Sequence, residues 1–387
     1  MDFSFAQDQE LIRKSAKEFF EKECPKDKVR ELKEEPKGYD PNMWKKMAKL
    51  EFMGLVIPEE YGGTEGEFVD LMIFMEEIGR NIVPCPYFST VVCCAMPVLE
   101  FGTDKQKKEI LPKIAQKGEI WTLALTEESV SYEPEDIKLK ADLDKDAYLL
   151  TGTKLFVSYA NVAKKMLVVA RTSENGNASD GITVFIVDAK TKGISIEVIP
   201  TTARDMRCEV KFDNVSISKE NILGEAGKGW EVIDYLIQHA SVLKAAEMSG
   251  GAQAVFELTT KYTKERIQFD KPIASFQAIQ FRLVELLTEV ESLKYLVHKA
   301  AWNINVGTSN RILNSIAKAK ANSVYHRACY QGIVMHGAVG WTEEMDIGLY
   351  HLRTKSLEFD AGEADFHKEK IVCDLEQKEP LFLSLYK

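Results

Sequence analysis

The chain has 387 residues and a formal net charge of −10, which argues against a nucleic-acid scaffold, and its lysines and glutamates are interspersed as on a solvated surface. Its length allows two or three domains with sizeable cores. No apolar run approaches the roughly 20 residues of a membrane helix, and the acidic start MDFSFAQDQE lacks the basic and apolar regions of a signal peptide, so a cytoplasmic protein without membrane or nucleic-acid partners is expected. Seven scattered cysteines without C-x-x-C spacing read as reduced core thiols, and six histidines form no ligand pattern, so no metal is expected.

Residues from about 5 to 118 carry a helical period. Leu11, Ala16, Phe19 and Phe20 open an amphipathic helix, Trp44, Met47, Leu50 and Met53 mark another, and Leu71 to Ile78 a third, with breaks at Pro36, Pro58 and Gly62-Gly63. From Ile120 the period changes. WTLALTE, KLKADL, YLLTGTKLFVS, KMLVVART, GITVFIVDA, ISIEVI and CEVKFDNVSI are short and rich in Val, Ile and Thr, with turn signals such as ENGNASDG and KTKG between them. They predict an antiparallel β-domain. At Gly227-Lys-Gly-Trp230 the helical period returns and persists almost to the end. The expected domains are therefore 1–118, 119–230 and 231–387, in an α+β fold.

Within the last part, KERIQFDKPIASFQ at 264–277 interrupts one long helical pattern and starts another. Pro272 forbids a continuous helix because it lacks an N–H and clashes with the preceding turn. On periodicity alone this is a helix–loop–helix corner whose polar residues are solvated.

The segments IPEEYGG (57–63), ALTE (124–127), GTKLFVSYANVAKKMLVVART (152–172), FDNVSISKENILGEAGKGW (212–230), YTKERIQFDKPIASFQ (262–277) and HGAVGWTEE (336–344) give the chain a resemblance to the flavin-dependent acyl-CoA dehydrogenases. The resemblance covers essentially the whole length, and its specificity lies in the order and spacing of the segments. It implies an N-terminal helical domain, a central antiparallel β-domain, a C-terminal four-helix bundle, and FAD held between the β-domain and the bundle. Leu123, Leu125 and Thr126 would lie along the isoalloxazine ring, and Phe156 and Ser158 stand where the family usually has Trp and Thr against the ring face and its N5 edge. Arg266, Gln268, Phe269 and Gln277 match the corner that reaches the FAD of a neighbouring subunit. Val334 replaces the usual Gln before H-G-G, while Gly337 is kept.

The chemistry implied is proton removal at Cα of an acyl-CoA while hydride leaves Cβ for the flavin, which requires a base. Counting from Gly340 puts Ala361 at the family's usual Glu position, and counting back from Gly250 puts Ala240 at the position used by a second branch. Two carboxylates remain as candidates: Asp360, one residue from the usual place, and Glu247, on nearly the same helix face as Ala240 about two turns, or roughly 10 Å, further along. A Glu in an apolar helix is paired or raised in pKa, and a base would use the second.

Other departures are the 129–136 segment, which replaces the family's A-G-S-D, and Asp270, which follows the corner Phe in place of Gly. The ending GEADFHKEK at 362–370 resembles the branch acting on steroid side chains, cyclic or dicarboxylic acyl-CoAs, in which some enzymes pair two unlike subunits. The first expectation is an acyl-CoA dehydrogenase passing electrons to an electron-transfer flavoprotein, as a homotetramer or as a heterotetramer with a second dehydrogenase-like subunit. The alternatives are a non-catalytic FAD-clamping subunit and, more weakly, an acyl-CoA oxidase.

Overall fold

A computed structural model describes residues 5–174 and 176–378. In chain order the helical start comprises α1 (Gln7–Glu23), α2 (Lys26–Leu32), α3 (Pro41–Lys49), α4 (Phe68–Asn81), a π-helical stretch at Phe88–Ala95, α5 (Met96–Phe101) and α6 (Asp104–Ala115). The strands follow as β1 (Trp121–Ala124), β2 (Lys140–Asp144), β3 (Ala147–Ser158), β4 (Lys165–Arg171), β5 (Ile182–Asp188), β6 (Ile194–Ile199), β7 (Arg207–Ser218) and β8 (Ile222–Leu223). The chain then runs through α7 (Gly229–Glu265), the short pair β9 (Ile267–Gln268) and β10 (Lys271–Pro272), α8 (Gln277–Asn305), α9 (Arg311–His336), α10 (Asp346–Phe359) and α11 (Ala364–Lys378). All seven strands expected from the sequence are present. The turn expected at ENGNASDG includes residue 175, which lies outside the described residues.

These elements form two compact units. The unit of residues 31–66 and 84–240 holds the sheet, in the order β6-β7-β3-β2-β4-β5-β8, with β1 alongside β4. The sheet is mixed: β1 runs parallel to β4, while β3–β7, β4–β5 and β6–β7 are antiparallel. Strands β4 and β5 are buried on both faces and read as continuous apolar runs, as strands in the middle of a covered sheet do. Along β7, Cys208, Val210 and Phe212 turn inward between polar neighbours, so one face of the sheet meets water. In the helical part, Asp40 caps α3 by accepting from the Asn42 and Met43 N–H groups, and Pro41 supplies a pre-set φ at its first turn.

The other unit comprises residues 1–30, 67–83 and 241–387. Its α4 and α7 cross at two glycines: a Cβ on Gly79 would lie 1.7 Å from the Glu247 carbonyl, and one on Gly250 would lie 1.9 Å from the Glu76 carbonyl. No other residue allows that approach. Beside the crossing, Glu76 accepts from Arg13 at 2.8 Å and meets His298 at 2.8 Å. Among the described residues no helix is long and apolar enough to cross a membrane. All seven cysteines are free; Cys373 is exposed and the other six are buried.

Candidate functional site

In the sheet-bearing unit, β1 leads out of the core towards Leu125 and Thr126. Thr90, in the π-helical stretch, anchors the strand at its start: its hydroxyl accepts from the Trp121 N–H at 3.1 Å and donates to the Trp121 carbonyl at 3.0 Å. Past the last ladder pair, Ala124 with Val168, the N–H groups of Leu125 and Thr126 donate to no group among the described residues. The Thr126 hydroxyl donates to the Leu155 carbonyl at 2.6 Å, and the Leu155 N–H returns to the Thr126 carbonyl at 2.9 Å, so this segment is tied to β3. There β3 shifts register against β7 between Lys154 and Val157, and the bulge puts Phe156 at φ +56 with the residue 39% exposed. A bulge re-aims the side chain it carries, and a non-glycine residue at positive φ stores about 1 kcal/mol or more of strain that the surroundings hold in place. Ser158 follows, its hydroxyl accepting from Arg207 at 2.7 Å. The structure therefore brings Leu123, Leu125, Thr126, Phe156 and Ser158 together as an aromatic face beside two open N–H groups. That arrangement fits the flat ring and polar edge of a flavin.

The corner lies in the helical unit and is more ordered than a loop. β9 and β10 form a two-residue hairpin with Phe269 and Asp270 at its tip, at φ +57 and +63. Two successive positive φ values make a type I′ turn, whose usual residues are Asn and Gly. Phe269 is 86% exposed at the tip. Arg266 is exposed and has no hydrogen-bonding or ionic side-chain partner among the described residues, and the same holds for the Gln277 amide at the first turn of α8. Behind the corner, the Tyr262 and His336 rings stack at 4.2 Å, and the Tyr262 hydroxyl donates to the His336 carbonyl. This ties the corner to the end of α9, where Val334 is exposed and Gly337 forms the cap at φ +70. Arg266, Gln268, Phe269, Gln277, Val334 and Gly337 thus share one end of this unit. A free guanidinium and two exposed amides supply what a diphosphate needs.

The two candidate bases meet through a lysine. Lys244 Nζ lies 2.6 Å from Glu247 Oε2 and 3.3 Å from Asp360 Oδ2, and Arg353 reaches the other Glu247 oxygen at 2.8 Å. Burial alone would raise the Glu247 pKa; Lys244 and Arg353 outweigh it and hold the carboxyl below its usual range. A base with a raised pKa, one of the two states expected for this residue, is therefore not what the surroundings of Glu247 produce. Its cause is the pair of cations, neither of which periodicity marks. Asp360 is the more open carboxylate, with 15% of its side chain exposed against 2% for Glu247.

Asp360 ends α10, and Ala361 follows at φ +58. The turn is pinned from two sides. Lys318 donates to the Gly362 carbonyl at 2.9 Å, the Glu358 carbonyl at 3.1 Å and Asn322 Oδ1 at 2.8 Å, while His367 Nε2 meets the Ala361 carbonyl at 2.8 Å. Burial lowers the Lys318 pKa to about 7 and, with the nearby Lys318 charge, that of His367 to about 3. His367 is therefore neutral and donates from Nε2. The Ala240 side chain is buried and chemically silent.

Sequence reasoning missed Lys244, Lys318, Arg353 and Arg207. The one signal was i,i+3 spacing of Lys244 and Glu247 in an otherwise apolar stretch of helix. It also missed the use of Glu127: its carboxylate receives the N–H groups of Lys138 and Leu139 and the Lys154 ammonium, which ties together the two ends that flank the 129–136 segment.

Three family models match the chain in order: the acyl-CoA dehydrogenase N-terminal domain at residues 6–118, the middle domain at 122–215 and the C-terminal domain at 227–375. The chain is 30% identical over 378 residues to a 3-(aryl)acrylate reductase of Clostridium sporogenes, covering 96% of this chain and 99% of that one. It is 31% identical over 348 residues to the CarC subunit of a caffeyl-CoA reductase–Etf complex of Acetobacterium woodii, covering 89% and 91%. Among solved structures, butyryl-CoA dehydrogenase from Megasphaera elsdenii superposes with a TM-score of 0.91 at 26% identity, over 97% of this chain and 100% of that one.

Proposed function

Because the chain belongs to the acyl-CoA dehydrogenase family of flavoprotein oxidoreductases acting on CH–CH groups, we propose that it interconverts an acyl-CoA thioester and its α,β-unsaturated counterpart, with Asp360 exchanging the Cα proton. The cofactor is FAD, and when bound it supplies the hydride acceptor or donor. The observation that carries the assignment of Asp360 is the division of labour at Lys244: one carboxylate, Glu247, is enclosed by two cations, and the other is partly open beside Ala361. Glu247 then positions Lys244, and Lys244 holds Asp360 in place at 3.3 Å. Arg266, Gln268, Phe269 and Gln277 clamp the FAD of a neighbouring subunit. The acyl group is a bulky, cyclic or dicarboxylic one, a reading that rests on residues 362–370, and an electron-transfer flavoprotein is the redox partner, as the Etf complex of the A. woodii relative suggests. The protein works in the cytoplasm.

Anaerobic bleaching of the flavin by a series of acyl-CoAs, or its reoxidation by enoyl-CoAs, tests this. Asp360→Asn should keep the yellow colour and lose about 100-fold or more in the rate of flavin reduction, the usual size of a lost general base. Loss of bleaching in a folded, yellow Glu247→Gln protein, with Asp360→Asn still active, would move the base to Glu247. The alanines at both usual base positions favour a second reading, a clamping subunit. A protein that is colourless alone and takes up FAD only with a second dehydrogenase-like chain would establish that reading instead.

A further inference from the structure

Burial depresses the pKa of three lysines: Lys26 to about 8, Lys154 to about 8 and Lys318 to about 7. Two of them are closed to reagents. Lys154 and Lys318 have no exposed surface; Lys154 is paired with Glu127 at 2.7 Å, and Lys318 is spent on carbonyls and Asn322.

Lys26 differs. It opens α2 and lines a cleft of about 380 Å3 in the helical unit, together with Arg80, Ala254, Leu258, Lys261 and Tyr350. Its Nζ stands 5.3 Å from the centre of the Tyr350 ring. Its one hydrogen bond among the described residues, to the Arg80 carbonyl at 3.5 Å, is at the limit of a real bond, and the Tyr350 hydroxyl already donates to that oxygen at 2.7 Å. No carboxylate among the described residues pairs with it. The neighbouring Arg80 has taken Glu257 with both ends of its fork. Lys26 is therefore a half-buried cation facing a cavity, bearing a desolvation cost that the Tyr350 ring and the charges of Cys24, Asp346 and Glu21 offset only in part.

We propose that Lys26 is a covalent modification site, acylated on Nζ by acyl-CoA thioesters that enter this cleft. The Nζ lone pair attacks the thioester carbonyl carbon, the C–S bond breaks, and the sulfur leaves as CoA thiol with the proton that the nitrogen sheds. The product is a neutral amide, and no oxidant or reductant takes part. Ala254 and Leu258 offer the acyl group an apolar wall, and Lys261, exposed and without an ionic partner among the described residues, offers the CoA phosphates a cation at the rim. Replacing the amine by an amide also removes the buried charge. The reaction needs a thioester and no turnover, so it stands apart from the redox chemistry.

Acetyl-CoA is the suitable probe because it has no Cβ and cannot be dehydrogenated, so the outcome is independent of the redox assignment. The holoenzyme is incubated with it and each lysine is followed by peptide mass mapping, with exposed Lys49 as the reference. At about pH 7.5 Lys26 should acetylate about tenfold or more faster than Lys49, since roughly a quarter of its amine is free against about one part in a thousand for an ordinary lysine. At about pH 9 that advantage should shrink, because Lys26 is already mostly free while the ordinary amine still gains. Equal rates at the lower pH, or a ratio that does not change with pH, would overturn the proposal.

Discussion

Glu77 shows at the scale of one side chain how buried charge shapes this protein. It lies next to the well-paired Glu76 on α4, yet its Oε2 is buried with no hydrogen-bond partner among the described residues. Burial pushes its pKa up to about 7, against the pull of Arg80 and Arg13. A raised folded value means that the native state holds a proton the unfolded chain has released between pH 4.5 and 7, so this group weakens the fold as pH rises through that window. Glu77→Gln should therefore stabilise the protein by roughly 1–3 kcal/mol above neutrality and by almost nothing below about pH 4.5. Denaturant midpoints at the two pH values read the difference. Glu247 has the opposite sign: its carboxyl is held down, so its contribution is present above the unfolded value and lost as acid protonates it. Glu247→Gln leaves Lys244 and Arg353 without their full countercharge and should cost about 3–5 kcal/mol at neutral pH. The destabilisation should fade as acid protonates the wild-type carboxylate. Neither environment can be read from the chain, because Lys244 is near in sequence but Arg353 arrives from α10, and Glu76 and Glu77 look alike as letters.

The elements themselves were legible wherever periodicity had one cause. All seven strands follow from Val, Ile and Thr runs between turn residues, and α4 follows from its apolar stripe. The corner was legible only as an interruption. Pro272 announces that the helix stops, but a β-hairpin turning through Phe and Asp at positive φ breaks the usual turn chemistry, and no local signal predicts it. In β3 the bulge at Phe156 is hidden for the same reason, since alternation continues on either side of it. The glycines of α7 are the converse case: read alone they weaken a helix, and only the partner helix explains them. Gly250→Ala should cost about 2–3 kcal/mol, because its Cβ meets the Glu76 carbonyl of a second backbone and not a movable side chain. A fall in the urea midpoint with an unchanged m value would register it.

At the scale of the molecule, the surface of the helical unit is not that of a finished monomer. Phe269 is joined as a large exposed apolar residue by Phe281 at 64% and Val284 at 60% on α8, and by Trp341 at 69% after α9. Apolar patches of this kind mark association surfaces. A Phe281→Asp, Val284→Asp double variant should sediment as a smaller species than the parent and lose FAD on gel filtration, whereas Arg266→Ala should lose FAD while keeping the parent's size. If the double variant keeps both size and flavin, these helices do not carry the assembly. Order along the chain was enough to read the family and the FAD, because many weak segments in one sequence add up. Which carboxylate is enclosed and which is partly open was not legible, since Lys244 and Arg353 decide it in three dimensions.

The hairpin tip has one further consequence, for rates. Its two left-handed residues are held by β9–β10 pairing and by the Ile273 N–H on the Arg266 carbonyl at 2.9 Å, so Phe269 is already shaped before anything meets it. A stiff tip docks as a rigid body, without a folding step to wait for. Encounter is then governed by diffusion and by net charge; between copies that each carry −10, added salt screens the repulsion, so the rate of assembly should rise with salt while the rate of dissociation stays nearly constant.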